Sequence, residues 1–323
     1  MKYDVVAFGE NLIDFVPAKE QTEDKLTFSG FPGGAPANVL ACVARLGGKT
    51  SFITKVGNDV FGRFLLKTFH QYQIDTSHVI LSDEYPTTLA FVALDEAGDR
   101  EFSFYRNQTA DVMVNRSEVD VDVLRQTRVF HFGSLSLTSP VARDTTFYLL
   151  ELAKKENVCI SYDPNLRASL WKSLEEAKEQ MLQGMRWADI VKVSEEEIQF
   201  LTGIEDIKEG AKALYRDYGL KLLVVTLGKN GCLWYANGEF GKAEGFPVNA
   251  VDTVGAGDAF FGSVLSGLLR YDFSQLESMK ASELYDVMRF ANAVAAVSTT
   301  RHGGISSLPS RSEVSKFLGT EDR

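Results

Sequence analysis

Apolar residues along this chain fall into two patterns, short continuous runs and stripes at helical spacing, and their order sketches an α/β protein. Tyr3-Asp4-Val5-Val6-Ala7-Phe8 is a run of strand length. Val39, Leu40, Val43, Ala44 and Leu46 then recur at helical spacing, with Gly47 placed as the stop after the last turn. Thr50 to Val56 predicts a second strand, and Asn58 or Asp59 predicts the cap of the helix that follows. From residue 128 the alternation is regular: strand Val129 to Phe132, helix near 140–155, strand Val158 to Tyr162, helix near 174–184, strand Ile190 to Val193. Leu222 to Leu227 predicts a buried strand, and Gly228-Lys229-Asn230-Gly231 turns it into a hairpin strand, Cys232 to Ala236. Phe260, Phe261, Val264, Leu265, Leu268 and Leu269 predict a helix opening at the turn Val251–Phe260, and Val287 to Thr299 a tail helix. Strands alternating with helices through short loops predict a mostly parallel sheet covered on both faces.

Two segments depart from that rhythm. Residues 15–32 alternate weakly (Leu26, Phe28, Phe31) around a charged turn, which predicts two short strands. Thr87 to Leu94 and Glu101 to Tyr105 flank Asp95-Glu96-Ala97-Gly98-Asp99-Arg100, a hairpin signal with glycine in the turn. Together they predict a small antiparallel sheet, built from roughly 12–32 and 86–106, inserted in one domain spanning 1–323 and placed to act as a lid. At 323 residues and 35.8 kDa, one main core with a minor appendage is the expectation.

Composition narrows the function. A net charge of −10, a pI near 5.1 and the lack of any basic run argue against a nucleic-acid partner, so a bound anion must be held by local dipoles and a few placed cations. Cys42, Cys159 and Cys232 are widely spaced with no Cys-x-x-Cys pair, which fits reduced core thiols in a cytoplasmic protein. The first strand carries Asp4 and is too short for a signal segment, and no run of some 18 apolar residues predicts a membrane span. His70, His78, His131 and His302 lack metal-ligand spacing. There is no Walker loop, no nucleophile elbow, and no dinucleotide fingerprint, because Phe260 stands where its last glycine would be.

The candidate chemistry lies at strand ends. In Val251–Phe260, Gly255 and Gly257 let the chain turn into a helix whose first amides and dipole favour phosphate. Asp258 sits among those amides, as a cap or as a functional carboxylate; both readings are open. Asp14 follows the first strand's carboxyl end, where parallel sheets bind ligands, and either solvates a loop or accepts ligand hydroxyls. Gly33-Gly34 precedes a helix with Asn38 on its first turn, which suits close approach to a small ligand and equally a tight strand-to-helix turn. Asn165 and Arg167 follow a strand immediately, and Arg106 follows the hairpin; arginine suits bidentate contact with phosphate, and each is also an ordinary surface residue. Ser194 and Glu197 have capping-box spacing, and Glu197 could also orient a water on Mg²⁺. Thr226, Gly228 and Gly231 border a nucleotide or simply turn the chain, and Asn292, Ala295 and Ala296 line an adenine slot or pack a helix.

The motifs Gly33-Gly34-Ala35-Pro36-Ala37-Asn38 and Asp252-Thr253-Val254-Gly255-Ala256-Gly257-Asp258 together resemble the two signatures of the ribokinase-like (PfkB) carbohydrate kinases. Phe104-Tyr105-Arg106-Asn107, Asp163-Pro164-Asn165-Leu166-Arg167 and Lys192-Val193-Ser194-Glu195-Glu196-Glu197 resemble the fructokinase branch of bacteria and plants. The resemblance implies a three-layer α/β/α ribokinase-like fold and an ATP-dependent sugar kinase acting on the 6-hydroxyl of D-fructose. It implies Asp258 as general base, with the amides of Gly255, Ala256, Gly257 and Asp258 as anion hole. Asp14, Gly33, Gly34 and Asn38 would bind the sugar, with Arg106, Asn165 and Arg167 near sugar or phosphate. Lys192, Thr226, Gly228, Gly231 and Asn292 would meet ATP. The family often carries Asn-x-x-Glu where this chain has Ser194-x-x-Glu197, which leaves Glu197 for Mg²⁺; Asp252 and Val254 match a monovalent-cation site, K⁺ in character. Lid sheets that pair between subunits imply a homodimer. Two alternatives stand: a 2-keto-3-deoxygluconate kinase, whose substrate carboxylate Arg106 and Arg167 could serve, and a non-catalytic sugar-binding regulator on the same fold.

Overall fold

A computed structural model describes residues 1–18, 24–94 and 100–320. In chain order the elements are β1 (Tyr3–Phe8), β2 (Leu12–Pro17), β3 (Phe28–Gly33), α1 (Ala35–Arg45), β4 (Thr50–Gly57), α2 (Val60–Gln71), β5 (Ile74–Asp75), β6 (Val79–Ser82), β7 (Thr88–Leu94) and β8 (Arg100–Tyr105). There follow β9 (Thr127–Gly133), α3 (Pro140–Lys155), β10 (Cys159–Asp163), α4 (Leu174–Met185), β11 (Ile190–Ser194), α5 (Glu195–Thr202), α6 (Ile207–Tyr218) and β12 (Leu222–Thr226). The chain ends with β13 (Cys232–Ala236), β14 (Glu239–Ala243), α7 (Ala256–Leu268), α8 (Ala281–Thr299) and α9 (Arg311–Leu318).

The large sheet has the order β14-β13-β12-β11-β10-β9-β1-β4-β5, with β6 also pairing β4. It is parallel from β12 to β5, and β13 and β14 close one edge as an antiparallel hairpin. Its strands read as unbroken apolar runs because both faces are covered. Val5, Ala7, Val129, Ile190 and Val224 pack with Leu40 of α1, Phe261 of α7 and Met288 of α8. Their neighbours Val6, Phe8, Phe130, Val191 and Val225 face the other way, onto Leu149 of α3, Met181 of α4 and Ile198 of α5. The result is the expected three-layer α/β/α arrangement.

The smaller sheet has the order β3-β2-β7-β8. It departs from the wholly antiparallel sheet that the sequence suggests, since β2 and β7 pair in parallel, Leu12 opposite Thr88. Each half is a local antiparallel pair, but the chain passes through α1, β4 and α2 of the main layers between them and returns running in the same direction as β2. The turns expected at 19–23 and 95–99 lie outside the described residues. Phe28, Phe15, Phe91 and Tyr105 form an aromatic row across all four strands, Phe15 stacking on Phe91 at 4.8 Å.

Asp59 caps α2, accepting from the amides of Phe61 and Gly62, and Gly47 sits at φ +97 beyond α1 as expected. The tail helix begins at Ala281, six residues before Val287, because Glu283 caps the Lys280 amide and the first turns bury only Leu284. Cys42, Cys159 and Cys232 are free and buried. Among the described residues no helix is long and apolar enough to cross a membrane.

Candidate active site

The carboxyl ends of β1, β10, β11 and β12 lie along one edge of the sheet, and the N-termini of α1 and α7 meet there. These two helices approach closely because Gly262 has no side chain: a Cβ there would lie 2.7 Å from the Cys42 Cβ and 2.8 Å from the Val39 carbonyl oxygen. Gly255 is the N-cap of α7 at φ +73, a conformation that suits glycine. Ala256, Gly257 and Asp258 follow as the first turn; the Ala256 amide donates to the Thr253 carbonyl at 3.2 Å, and those of Gly257 and Asp258 precede the first intrahelical bond.

Asp258 does not cap this helix. Its carboxylate is buried and accepts a 2.7 Å hydrogen bond from Asn38 Nδ2 on the first turn of α1. Burial pushes its pKa up, opposed by the Asn38 hydrogen bond and by the charges of Lys192 and Arg167.

In front of Asp258 lies a cavity of about 280 Å³, lined by Asp14, Gly34, Asn38, Asn165, Arg167, Lys192 and the turn from Thr253 to Asp258, with Phe104 of the small sheet contributing an apolar wall. Burial raises Asp14 to about 7, with Arg167 opposing. Gly33 stands behind Asp14: a Cβ there would sit 2.1 Å from Asp14 Oδ2, so glycine is what lets the carboxylate occupy its place. Asn165, at φ +49, accepts at 2.7 Å from Arg167, which remains exposed at the mouth.

Arg106 does not line this cavity. Its Nε donates to Asp111 at 2.8 Å, Nη1 to Thr138 Oγ1 at 2.7 Å and Nη2 to the Leu135 carbonyl at 3.0 Å. The guanidinium is consumed in pinning the end of β8 to the core.

Lys192 is buried beside the first turn of α7, Nζ lying 3.0 and 2.9 Å from the two carboxylate oxygens of Asp163. A Cβ on Gly257 would be 3.2 Å from the same Nζ. Burial works against the ammonium, but Asp163, Glu197 and Asp258 together outweigh it and raise its pKa. Asp163 opens the Asp163–Arg167 motif, but nothing in its spacing shows that Lys192 is its partner. Glu10 was inconspicuous, yet it lines the cavity with burial lifting its pKa to about 7.

A second cavity of about 700 Å³ is lined by Thr226, Gly228, Gly231, Asn292, Ala295 and Ala296, with Phe246 and Pro247. Asn292 Nδ2 donates to the carbonyls of Ala243 and Glu244 at 3.0 and 3.1 Å, fixing the exit of β14 along this groove. Gly231, at φ +92, admits that strand: a Cβ would lie 2.1 Å from the Ala243 carbonyl oxygen. Thr253 and Gly257 line both cavities, so the two spaces meet over the start of α7.

Glu197 lies in a third cavity with Asn165, Arg167, Lys192 and Ser194. The capping box is present, Oε2 accepting from the Ser194 amide at 2.9 Å, while Oε1 accepts from the Leu166 amide at 2.7 Å. Asp252 accepts from the amides of Val254 and Gly303, each at 3.0 Å, and thereby shapes the turn whose Val254 reaches the first cavity. Among the described residues no group of three or more His, Cys, Asp or Glu could hold a metal by itself.

The arrangement is a small pocket lined by carboxylates and side-chain amides, with one carboxylate oriented by Asn38, joined through a cradle of backbone amides and one ammonium to a larger, more apolar groove. The sequence matches the profile described as pfkB family carbohydrate kinase over residues 2–311. It is 44% identical over 316 residues to fructokinase-1 of Zea mays, covering 97% of each chain. The fold is similar to that of a crystal structure of fructokinase with bound ATP from Xylella fastidiosa (TM-score 0.92, 32% identity, 99% of both chains). It is also similar to a double-mutant fructokinase from Vibrio cholerae O395 in its fructose, ADP and potassium ion bound form (TM-score 0.87, 33% identity, 98% of this chain and 99% of that one).

Proposed function

This chain belongs to the pfkB family of carbohydrate kinases, and we propose on that premise that it transfers the terminal phosphoryl group of ATP to the 6-hydroxyl of D-fructose. The observation that carries the reading is the junction of the two cavities at Thr253 and Gly257, with Asp258 lining the smaller one. Fructose occupies the smaller cavity and ATP the larger groove along Thr226, Gly228, Gly231 and Asn292. Its phosphates lie over the α7 amides and beside Lys192.

In the reaction the sugar's 6-oxygen bonds to the γ-phosphorus, the bond to the β–γ bridging oxygen breaks, ADP leaves, and the hydroxyl proton passes to Asp258. Asn38 aims the carboxylate. The amides of Gly255, Gly257 and Asp258, fixed before substrate arrives, neutralise charge on the phosphoryl oxygens, which is most of what phosphoryl transfer requires; the Ala256 amide, donating to the Thr253 carbonyl at 3.2 Å, holds the turn and joins them only by releasing that bond. Mg²⁺ bound with the nucleotide would supply further charge neutralisation. Both Glu197 oxygens already accept backbone amides, so Glu197 would hold Mg²⁺ through a water. Asp252, with the carbonyls of its own turn, would hold K⁺ behind the anion hole.

The small cavity also bears on substrate class. Glu10, Asp14 and Asp258 set three carboxylates against Arg167 and Lys192, and Lys192 is already paired with Asp163. That balance suits a neutral polyol, and with Arg106 spent elsewhere a keto acid loses one of its two expected partners. Side-by-side assays should give ATP-dependent turnover of fructose well above that of 2-keto-3-deoxygluconate. The reverse order would assign the rival activity, and sugar binding without phosphoryl transfer to either would make the protein a regulator.

The small sheet closes over the sugar to exclude water, and its aromatic row, with Tyr105 66% exposed, is the face through which two copies pair as a homodimer. Unpaired thiols suit a cytoplasmic enzyme. Small-angle scattering should return a dimer mass, and compaction when fructose and a non-hydrolysable ATP analogue bind; a monomer of constant dimensions would remove both statements.

A further inference from the structure

Glu10 follows β1 directly, and its side chain is divided between two environments. Oε1 accepts a 2.9 Å hydrogen bond from the amide of Ala35, the first residue of α1. Oε2 is buried and has no hydrogen-bond partner among the described residues. A carboxylate oxygen without a donor is costly to bury, and the charge of Arg106 offsets that only in part. Arg106 acts on Glu10 only through its field, because its own hydrogen bonds go to Asp111, Thr138 and the Leu135 carbonyl. Asp111 is of the same sign as Glu10. Yet Glu10 lines the sugar cavity, and the terminal torsion of a glutamate is soft enough to turn an oxygen toward it.

We infer that Glu10 is a sugar-recognition residue whose second carboxylate oxygen accepts a hydrogen bond from a fructose hydroxyl other than the 6-hydroxyl, while the first holds the N-terminus of α1. This rests on the fructose-phosphorylating reading. In its ionised form the carboxylate only accepts, so the ligand must bring a donor at that point, and a hydroxyl donating there favours that form. Glu10 therefore selects a polyol and penalises an analogue in which the matching hydroxyl is replaced. Its first oxygen also couples the two roles of α1, since the helix that Glu10 caps carries Asn38, which aims Asp258.

The test compares fructose with its 1-, 3- and 4-monofluoro-deoxy analogues, in which fluorine fills the hydroxyl's place but cannot donate. Wild-type kcat/KM should fall about 10- to 100-fold for one of the three, as expected for a lost hydrogen bond to a charged acceptor. Glu10→Gln keeps an oxygen for the Ala35 amide. It should lower kcat/KM on fructose by a similar factor, mainly through KM, and handle that same analogue no worse than fructose. Glu10→Asp, which keeps the charge but withdraws the oxygen by one methylene, should also lose the discrimination. Wild-type indifference to all three analogues overturns the inference without any variant. So does a Glu10→Gln enzyme that is slowed equally on fructose and every analogue, the pattern of a purely structural cap. No wild-type turnover of fructose would instead remove the fructokinase reading, and this inference with it.

Discussion

Asp258→Asn is expected to lower kcat by about 10²- to 10⁴-fold, the usual worth of a positioned general base, while fructose binding changes little. The amide is isosteric and still offers an oxygen to Asn38 Nδ2, so the geometry at the mouth of α7 survives. What is lost is the group that receives the 6-hydroxyl proton. The same burial that makes Asp258 a better base than a surface carboxylate raises its pKa, so wild-type kcat/KM should decline as pH falls through that raised value. For stability the sign is opposite: a carboxyl whose pKa rises on folding favours the folded state when protonated, and that contribution is lost as pH climbs past its folded pKa. A permanently neutral amide avoids this, so at neutral pH the variant should melt no lower than wild type. Steady-state kinetics with a thermal melt checks both, and retention of more than a tenth of kcat would take the base role away from Asp258.

Lys192→Met should damage stability and turnover together. It leaves Asp163 buried without the ammonium now 2.9 Å away, and breaking a buried pair from one side costs roughly 3–5 kcal/mol. Removing a cation beside Gly257, in the proposed anion hole, should also reduce kcat by about 10²- to 10³-fold, the scale seen for a single oxyanion-hole donor. The double variant Lys192→Met with Asp163→Asn separates the two effects, because a pair removed from both sides leaves no buried charge behind. Denaturant unfolding should show most of the stability restored in the double variant, with kcat still low. Recovery of kcat along with stability would mean that Lys192 only holds the fold together.

Several features were readable from spacing because they are local. The capping box of Ser194 and Glu197 needs only residues three apart, the stop at Gly47 only a positive φ after an apolar stripe, and the two-faced strands only unbroken apolar runs. That Thr226, Gly228 and Gly231 border one cavity was readable for a related reason: they sit at one strand end, and such ends face ligands. Arg106 misled, since an arginine after a lid strand has the same local pattern whether it meets a ligand or, as here, Asp111, Thr138 and the Leu135 carbonyl. Glu10 was silent, and Asp163 legible only as the start of its motif and not as the partner of Lys192, because one carboxylate beside a strand end is unremarkable until its buried surroundings are known.

By itself, the sequence determined the layers, the positions of the two glycine turns, and the presence of a carboxylate on the first turn of α7, because each depends on periodicity or on backbone freedom within a few residues. Only the tertiary structure decided that this carboxylate is not a cap. Capping and proton transfer ask for the same residue at the same place, and what separates them is a donor 220 residues away in the chain, Asn38, brought within 2.7 Å of Asp258 by the close packing of α1 on α7.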